Sequence, residues 1–192
     1  MKQNEKKNFI FLVFGQKGFG KSYLIKQMIK KRLKSKHRFV VVDPNAEYSA
    51  SFDRAYSRGD FIKQAKQKWG LSSFIIYYTP EKDGDEIFDI VYELGDTTLI
   101  IDEAHLWGRG ADFDSGLRQI IRMGRHRRIN VIMITHRPAD LDPLIRMQSD
   151  IIISFRQTEM IDIKGFKDFV DDPERLMKLP RGKYLAIKGN LS

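Results

Sequence analysis

The sequence predicts an α/β fold in which a mainly parallel central sheet is flanked by helices on both faces. The early strand-like runs at 9–14, 40–42 and 99–101 are apolar throughout rather than alternating, a pattern typical of strands that are buried on both faces. Short β-branched runs also alternate with longer helical segments, which favours strand–helix–strand units. A glycine-rich segment, Gly15–Ser22, joins the first strand to the first helix. A chain of 192 residues is large enough to bury a core around such a sheet.

The predicted elements follow one another along almost the whole chain. Seven strands are expected, at 9–14, 38–42, 73–78, 98–101, 130–134, 151–155 and 184–187. Five helices are expected, at 21–33, 60–69, 85–94, 115–125 and 140–147. Because no repeat, low-complexity block or Pro/Gly-rich linker interrupts this order, residues 9–192 are predicted to form one domain. Residues 1–8 are predicted to be a flexible, basic N-terminus.

The positive charge is concentrated in two stretches that contain no acidic residue, 17–42 and 115–139. The formal net charge is +9, and clustered basic side chains indicate a polyanionic partner. A solvated, lysine-rich helix face explains the first stretch equally well, whereas the second is rich in arginine, the better bidentate ligand for phosphate. Cysteine is absent, which excludes disulfides and thiolate metal sites. No apolar run approaches the ~20 residues that cross a bilayer, so a soluble protein without a transmembrane segment is expected.

The segment from Gly15 to Ser22 matches the phosphate-binding pattern G-x-x-x-x-G-K-[ST] in full. Glycines allow the backbone to curl so that its N–H groups point at phosphate oxygens, and the following helix N-terminus adds partial positive charge. Lys21 is predicted to reach the β- and γ-phosphates of ATP, and Ser22 to ligate Mg²⁺. The alternative is a chance glycine-rich turn, but a strand before the segment and a helix after it supply the context that the pattern requires. The residues expected to bind the nucleotide are Gly15, Gln16, Lys17, Gly18, Phe19, Gly20, Lys21, Ser22 and Tyr23.

Two acidic residues, Asp102 and Glu103, directly follow the apolar run Thr98–Ile101. Open α/β sheets bind ligands at the carboxyl ends of their strands, so the pair stands at the Walker B position. Asp102 is predicted to hold the hydration shell of Mg²⁺, and Glu103 to orient and polarise the attacking water. The alternative is a pair of acids that only caps a helix N-terminus, but the phosphate loop upstream favours catalysis. The adjacent glutamate also separates the chain from GTPases and kinases, which position the nucleophile differently.

Two further features are predicted to complete a hydrolytic site. The strand at 130–134 ends in Thr135 and His136, where a polar side chain can contact the γ-phosphate or the catalytic water; ordinary capping of the strand end is the alternative. The helix before this strand ends in several arginines, and an arginine from a neighbouring subunit can raise the rate of phosphoryl transfer ~10³–10⁵-fold in the best cases. Arg122 and Arg125 are the predicted fingers, with contacts to DNA phosphates or to the helix dipole as alternatives.

Several segments together resemble the FtsK/HerA superfamily of ring-forming, DNA-translocating ATPases. Val42–Tyr48 is similar to the HerA-type Asp-Pro-His-Gly-Glu-Tyr segment, and Gly124–Leu141 to that family's arginine helix, sensor strand and Pro-x-Asp-Leu turn. Leu176–Tyr184 is similar to its C-terminal Leu-x-x-Leu-x-x-Gly element. The resemblance covers nearly the whole chain and implies a RecA-like P-loop fold of the ASCE group. His136 stands where the family usually has glutamine, and a titratable imidazole there would make activity depend on pH.

The resemblance also implies a function. The sequence contains neither the N-terminal barrel of the DNA-repair HerA proteins nor the membrane and DNA-reading domains of FtsK proteins. Such a minimal core resembles the genome-packaging ATPases of tailless icosahedral viruses with internal membranes. The expected activity is ATP-driven movement of double-stranded DNA, bound through the basic surface of a pentameric or hexameric ring. Capsid or membrane portal proteins are the other expected partners, and the host cytoplasm or the virion the expected location.

Parts of this interpretation have alternatives. Lys82 and Arg109 lie on predicted loops that would face the pore of a ring or be plain surface loops. A HerA-like cellular or plasmid helicase or translocase would have the same motifs. So would an assembly protein that uses ATP as a switch and does not move DNA.

Overall fold

The computed structural model describes residues 8–33, 35–48, 54–80, 87–110, 113–167 and 170–188. Lys82 and residues 1–7 of the predicted flexible N-terminus lie outside these ranges. The described strands are β1 (Ile10–Phe14), β2 (Arg38–Val42), β3 (Arg54–Ala55), β4 (Phe74–Tyr78), β5 (Thr98–Ile101), β6 (Asn130–Thr135), β7 (Ile151–Ser154) and β8 (Leu185–Lys188). They form one sheet with the order β3-β4-β2-β5-β6-β1-β7-β8. All neighbouring strands are parallel except β7 and β8, which are antiparallel.

Helices connect most of the parallel strands. The described α-helices are α1 (Lys21–Leu33), α2 (Arg58–Lys68), α3 (Phe88–Leu94), α4 (Ser115–Met123), α5 (Pro143–Met147) and α6 (Met160–Gly165). Short 3₁₀ helices lie at 104–106, 124–127, 138–140 and 173–178. In the part of the chain that the structure describes, no helix is both long and apolar enough to cross a membrane.

The apolar core is divided between the two faces of the sheet. On one face, Ile25 of α1 belongs to a buried cluster with Ile100 of β5. On the other face, Phe61 of α2 and Leu117 of α4 belong to a cluster with Leu99 of β5. Since successive strand residues point to opposite faces, β5 must be apolar at every position to serve both layers. The predicted α/β fold with a mainly parallel sheet is therefore confirmed.

Five predicted helix boundaries are wrong, and local capping explains two of them. Helix α3 begins at Phe88 rather than at residue 85, and helix α2 ends at Lys68 rather than at residue 69. Helix α2 begins before the predicted residue 60, because Ser57 Oγ accepts the Asp60 N–H at 3.1 Å and the Asp60 carboxylate accepts the Ser57 N–H at 3.2 Å. Helix α5 begins at Pro143 rather than at residue 140, because the Asp142 carboxylate accepts the N–H of Leu144 at 2.8 Å. Helix α4 ends at Met123 rather than at residue 125, and the chain continues as a 3₁₀ helix.

One described strand and one described α-helix were not predicted. Strand β3 has only two residues and helix α6 has six, so neither is long enough to give a clear hydrophobic period. Both are defined by what they pack against in the folded chain.

The parallel strands give the sheet two chemically distinct ends. The carboxyl end is where β1, β2, β5, β6 and β7 finish, and the amino end is where they start. The glycine-rich loop follows β1, Asp102 follows β5, and Thr135 ends β6, so all three lie at the carboxyl end.

Candidate nucleotide site

The loop between β1 and α1 has a backbone that only glycine adopts easily. Gly15 has φ +146° and Gly20 has φ +113°. A Cβ on Gly15 would lie 2.5 Å from the Cβ of Phe155, which is closer than two carbon atoms can approach. The Gly15 N–H donates to the His136 carbonyl at 3.2 Å, and the Gln16 N–H to the Arg156 carbonyl at 3.0 Å. These contacts fix the start of the loop between the ends of β6 and β7.

The other predicted loop residues lie on the outside of this turn. Lys17 and Gly18 are exposed, Phe19 and Ser22 are half-buried, and Tyr23 is 69% exposed on the first turn of α1.

Lys21 is folded back into the loop. Its side chain is nearly buried, and Nζ donates to the carbonyls of Gly15 at 2.6 Å and Gln16 at 3.2 Å. Nζ also lies 3.3 Å from Nδ1 of His136. Burial lowers the pKa of Lys21, while the carboxylates of Asp102 and Glu103 oppose that shift.

Asp102 and Glu103 continue β5 into the site. The Asp102 N–H donates to the Val42 carbonyl at 2.9 Å, and one Asp102 oxygen accepts the Glu103 N–H at 3.0 Å. Burial raises the pKa of Asp102 to about 6, and the nearby Glu103, Glu47 and Asp43 add to this shift. Because burial is the main cause of this shift, the ionised carboxylate of Asp102 is destabilised in the folded protein.

Glu103 lies between two histidines. Its backbone is left-handed, with φ 48° and ψ 46°, and its carboxylate lies 3.3 Å from Nε2 of His136 and 3.4 Å from Nδ1 of His105. His105 Nδ1 also lies 3.3 Å from Oγ1 of the buried Thr135. Of the two predicted sensor residues, His136 contacts both Lys21 and Glu103, whereas Thr135 reaches Glu103 only through His105.

Two further carboxylates, Asp43 and Glu47, follow β2, and Glu47 reaches the phosphate loop. Neither was predicted as a site residue. Asp43 is fully buried, accepts the backbone N–H groups of Glu47 at 2.9 Å and Tyr48 at 3.0 Å, and pairs with Arg54 at 2.9 Å. Held in this way, the segment at 43–48 brings Oε2 of Glu47 to 3.3 Å from the Ser22 hydroxyl, which donates to it. The only sequence signal for Glu47 is its place in the Val42–Tyr48 segment.

The oxygen atoms of Ser22, Asp102 and Glu47 suit a small hard cation. Carboxylate and hydroxyl oxygens are the ligands that Mg²⁺ prefers, usually one or two from the protein with phosphate oxygens and waters as the others. Ser22 and Asp102 are the residues that could hold it, with Glu47 close to Ser22. The raised pKa of Asp102 fits such a site, since a divalent cation would stabilise the ionised carboxylate.

The predicted arginine fingers lie away from this cluster. Arg122 is exposed in the last turn of α4, and Arg125 is an exposed side chain that pairs with Asp150 at 3.4 Å. Asp150 directly precedes β7, and Arg125 lies just before β6, so both belong to the amino end of the sheet. The structure does not bring these arginines to the Lys21–Glu103 cluster of the same chain.

Comparison with known proteins places the chain in a family. A family profile described as the central domain of helicase HerA matches residues 10–107, which is 98 of 192 residues. The chain belongs to this family. The matched region includes the phosphate loop and the Asp102–Glu103 pair, and the FtsK/HerA assignment made from sequence motifs is confirmed.

Solved structures extend the similarity beyond this region. The genome-packaging NTPase B204 from Sulfolobus turreted icosahedral virus 2, in complex with AMP, is 26% identical, with 98% of this chain and 95% of that chain covered and a TM-score of 0.78. The same protein in complex with ATP-gammaS is 25% identical, with 98% and 94% covered and a TM-score of 0.76. VirB4 of Thermoanaerobacter pseudethanolicus is 10% identical, with 100% and 92% covered and a TM-score of 0.65, which shows a shared fold. Comparison with curated proteins gives no match.

Proposed function

We propose that this chain hydrolyses ATP and moves double-stranded DNA as the genome-packaging motor ATPase of a virus. The observation that carries the ATPase proposal is the continuous set of contacts from Lys21 to His136 at 3.3 Å and from His136 to Glu103 at 3.3 Å. It joins the phosphate loop, the sensor strand and the predicted water-positioning carboxylate in one site. Similarity to a packaging NTPase over 98% of this chain supports the packaging role.

The residues of the chain divide the chemical work as follows. The backbone N–H groups of Gly15–Ser22 and the Lys21 ammonium bind the phosphates of ATP. Ser22 and Asp102 hold Mg²⁺, which supplies neutralisation of phosphate charge when it is bound. Glu103 orients and polarises the attacking water, and His136 fixes the position of the Glu103 carboxylate.

The proposal for DNA rests on charge. Helix α1 presents exposed lysines, Lys26, Lys30 and Lys31, and the amino end of the sheet carries exposed arginines such as Arg125 and Arg128. Backbone phosphates of DNA would bind such surfaces with little sequence preference. Five or six copies of the 9–192 domain would form the ring, with capsid or portal proteins as further partners in the host cytoplasm or the virion.

The test is the rate of ATP hydrolysis with and without duplex DNA, at several protein concentrations and several salt concentrations. We expect duplex DNA to stimulate the rate, the specific rate to rise with protein concentration as rings form, and DNA binding to weaken steeply with salt. A protein that hydrolyses ATP at one rate regardless of DNA, and does not bind DNA, would be a nucleotide-switched assembly protein rather than a motor.

The family match favours a second candidate, a HerA-like cellular or plasmid helicase or translocase. Both candidates predict DNA-stimulated hydrolysis, so activity alone does not separate them. The neighbouring genes separate the two candidates, because capsid genes support packaging, whereas nuclease or relaxase genes support repair or conjugation.

A further inference from the structure

The C-terminal segment Leu176–Tyr184 has no part in the hydrolysis site described above, yet it contacts the phosphate loop directly. The Gly182 N–H donates to the Phe19 carbonyl at 3.0 Å, and Arg181 Nε donates to the Gly18 carbonyl at 2.9 Å. The Cα of Gly182 lies 3.5 Å from the place where a Cβ on Gly20 would stand. Two backbone carbonyls of the loop are thus held by residues more than 160 positions later in the chain.

An exposed aromatic ring stands beside these contacts. Tyr184 is 44% exposed, and its ring lies 5.4 Å from that of Phe155, centroid to centroid, at an angle of 56°. Phe155 is fully buried and packs against both Gly15 and Gly20. Tyr184 therefore lies on the same buried ring that supports the phosphate loop, with one part of its surface exposed to solvent.

The order of the strands indicates which part of a nucleotide would meet Tyr184. The residues predicted to act at the γ-phosphate, Glu103 and His136, follow β5 and β6, whereas Tyr184 directly precedes β8 on the other side of β1 and β7. Neighbouring strands are about 4.8 Å apart, so β6 and β8 are roughly 14 Å apart. A triphosphate chain that starts at β6 and lies along the loop must direct its nucleoside toward β7 and β8.

We propose that the turn from Pro180 to Tyr184 is the nucleoside side of the nucleotide site, with the Tyr184 ring stacked on the base. Arg181 and Gly182 hold the phosphate loop from outside, so they act on the phosphate part of the ligand through the loop. This inference rests on the proposed binding of ATP and adds the residue that distinguishes a nucleotide from a bare phosphate chain. A flat tyrosine ring has little conformational freedom to lose and binds any base by its face.

The test compares two ligands with the full-length protein in the presence of Mg²⁺: AMPPCP, which has a base, and inorganic tripolyphosphate, which has none. Calorimetric titration gives both dissociation constants. We expect Tyr184→Ala to weaken AMPPCP binding about tenfold, equivalent to about 1.4 kcal/mol, and to change tripolyphosphate binding less than twofold. Tyr184→Phe keeps the ring and is expected to bind AMPPCP as the unmodified protein does.

Two other variants serve as controls. Tyr56 is also 44% exposed but precedes α2, so Tyr56→Ala should leave both affinities unchanged. Arg181→Ala should weaken AMPPCP and tripolyphosphate to the same degree, because it acts through the loop carbonyl of Gly18.

Several outcomes would overturn the inference. Unchanged AMPPCP binding by Tyr184→Ala is one, and an equal loss of both ligands is another, because it would mean that Tyr184 only supports the loop. A third is that the unmodified protein binds tripolyphosphate as tightly as AMPPCP, since the base would then contribute nothing. If the unmodified protein does not bind AMPPCP at all, it is the proposed function that fails.

Discussion

At the carboxyl end of the sheet, several charged side chains are buried, whereas at the amino end charged side chains such as that of Arg128 are exposed and pair with partners at the surface. Asp102 is 6% exposed and Lys21 is 9% exposed. By contrast, the side chain of Arg128, which pairs with Asp96 at 3.6 Å, is 72% exposed. Buried charges interact strongly because little water screens them, while exposed pairs contribute only about 0–1 kcal/mol.

The two ends also carry cavities of the same size with different linings. At the carboxyl end a cavity of about 390 Å³ is lined by Gln16, Lys17, His136, Arg137, Gln157, Thr158, Glu159 and Asp162. At the amino end a cavity of about 390 Å³ is lined by Arg38, Leu94, Gly95, Asp96, His126, Arg127 and Arg128. The first mixes acidic and basic groups that pair within the chain, as Arg137 does with Asp162 at 2.9 Å. The second is mostly basic, which suits an anion supplied by another molecule.

The largest effect should come from the buried cation of the carboxyl end. We expect Lys21→Ala to abolish measurable binding and hydrolysis of ATP, because the loop then loses the ammonium that the β- and γ-phosphates require. Titration with AMPPCP and a phosphate-release assay measure the two losses. Lys66→Ala removes an exposed lysine of α2 and should change neither.

The second effect separates catalysis from binding at the same end. Glu103→Gln should keep the affinity for ATP and lower kcat by about 10³-fold, because an amide does not polarise water as a carboxylate does. The matched control, Glu93→Gln, changes a side chain that is 73% exposed and pairs with Arg127. Wild-type turnover by Glu103→Gln would exclude Glu103 as the water-positioning residue.

More of the carboxyl end than of the amino end could be predicted from the sequence, for a physical reason. The phosphate loop and the Asp102–Glu103 pair are short continuous segments, and their chemistry depends on local spacing that can be read directly. The contact of Ser22 with Glu47 spans 25 positions, and that of His105 with Thr135 spans 30. Such contacts exist only after the strands have been ordered in the sheet, so no local sequence pattern predicts them.

The fold was predictable to a similar degree. Strands such as β5 were found because both of their faces are buried, which makes every position apolar. Strand β3 was not predicted because its two residues are placed by tertiary contacts, including the buried pair of Arg54 with Asp43. The roles of Arg122 and Arg125 stay predictions, because their function would lie in a second copy of the chain.

The third effect tests whether the amino end acts on a neighbouring copy. We expect Arg122→Ala or Arg125→Ala to lower kcat by about 100-fold, below the ~10³–10⁵ of the best arginine fingers. Mixing the affected variant with Glu103→Gln subunits should restore activity, because one interface then combines an intact glutamate with an intact arginine.

An arginine that acts within its own chain would give no such recovery, since every site in the mixture would lack one of the two groups. Arg58→Ala is the matched control, because Arg58 forms an ion pair with Asp89 at the surface, as Arg125 does with Asp150. Its kcat should stay near that of the unmodified protein.

The smallest effect concerns stability and follows from the burial of Asp102 at the carboxyl end. Burial raises the pKa of Asp102 from 3.8 to about 6, so the folded protein holds this proton more tightly than the unfolded chain does. The stability that the proton provides is complete below pH ~4 and is lost as the pH rises through about 6, a difference of about 3 kcal/mol. Without Mg²⁺ and nucleotide, Asp102→Asn should therefore unfold about 6–12 °C higher than the unmodified protein at pH 7.5, and at nearly the same temperature at pH 4.

Thermal unfolding followed by circular dichroism in a chelating buffer measures this difference. Asp96→Asn is the control at the amino end, where the carboxylate is 59% exposed and its pairing with Arg128 is weak; its unfolding temperature should move by less than 2 °C or so. If Asp102→Asn were no more stable than the unmodified protein at pH 7.5, the buried carboxylate would already be neutralised within the chain. The two ends of the sheet would then differ only in how deeply their charged side chains are buried. Asp102 would not need a bound cation to stabilise its charge.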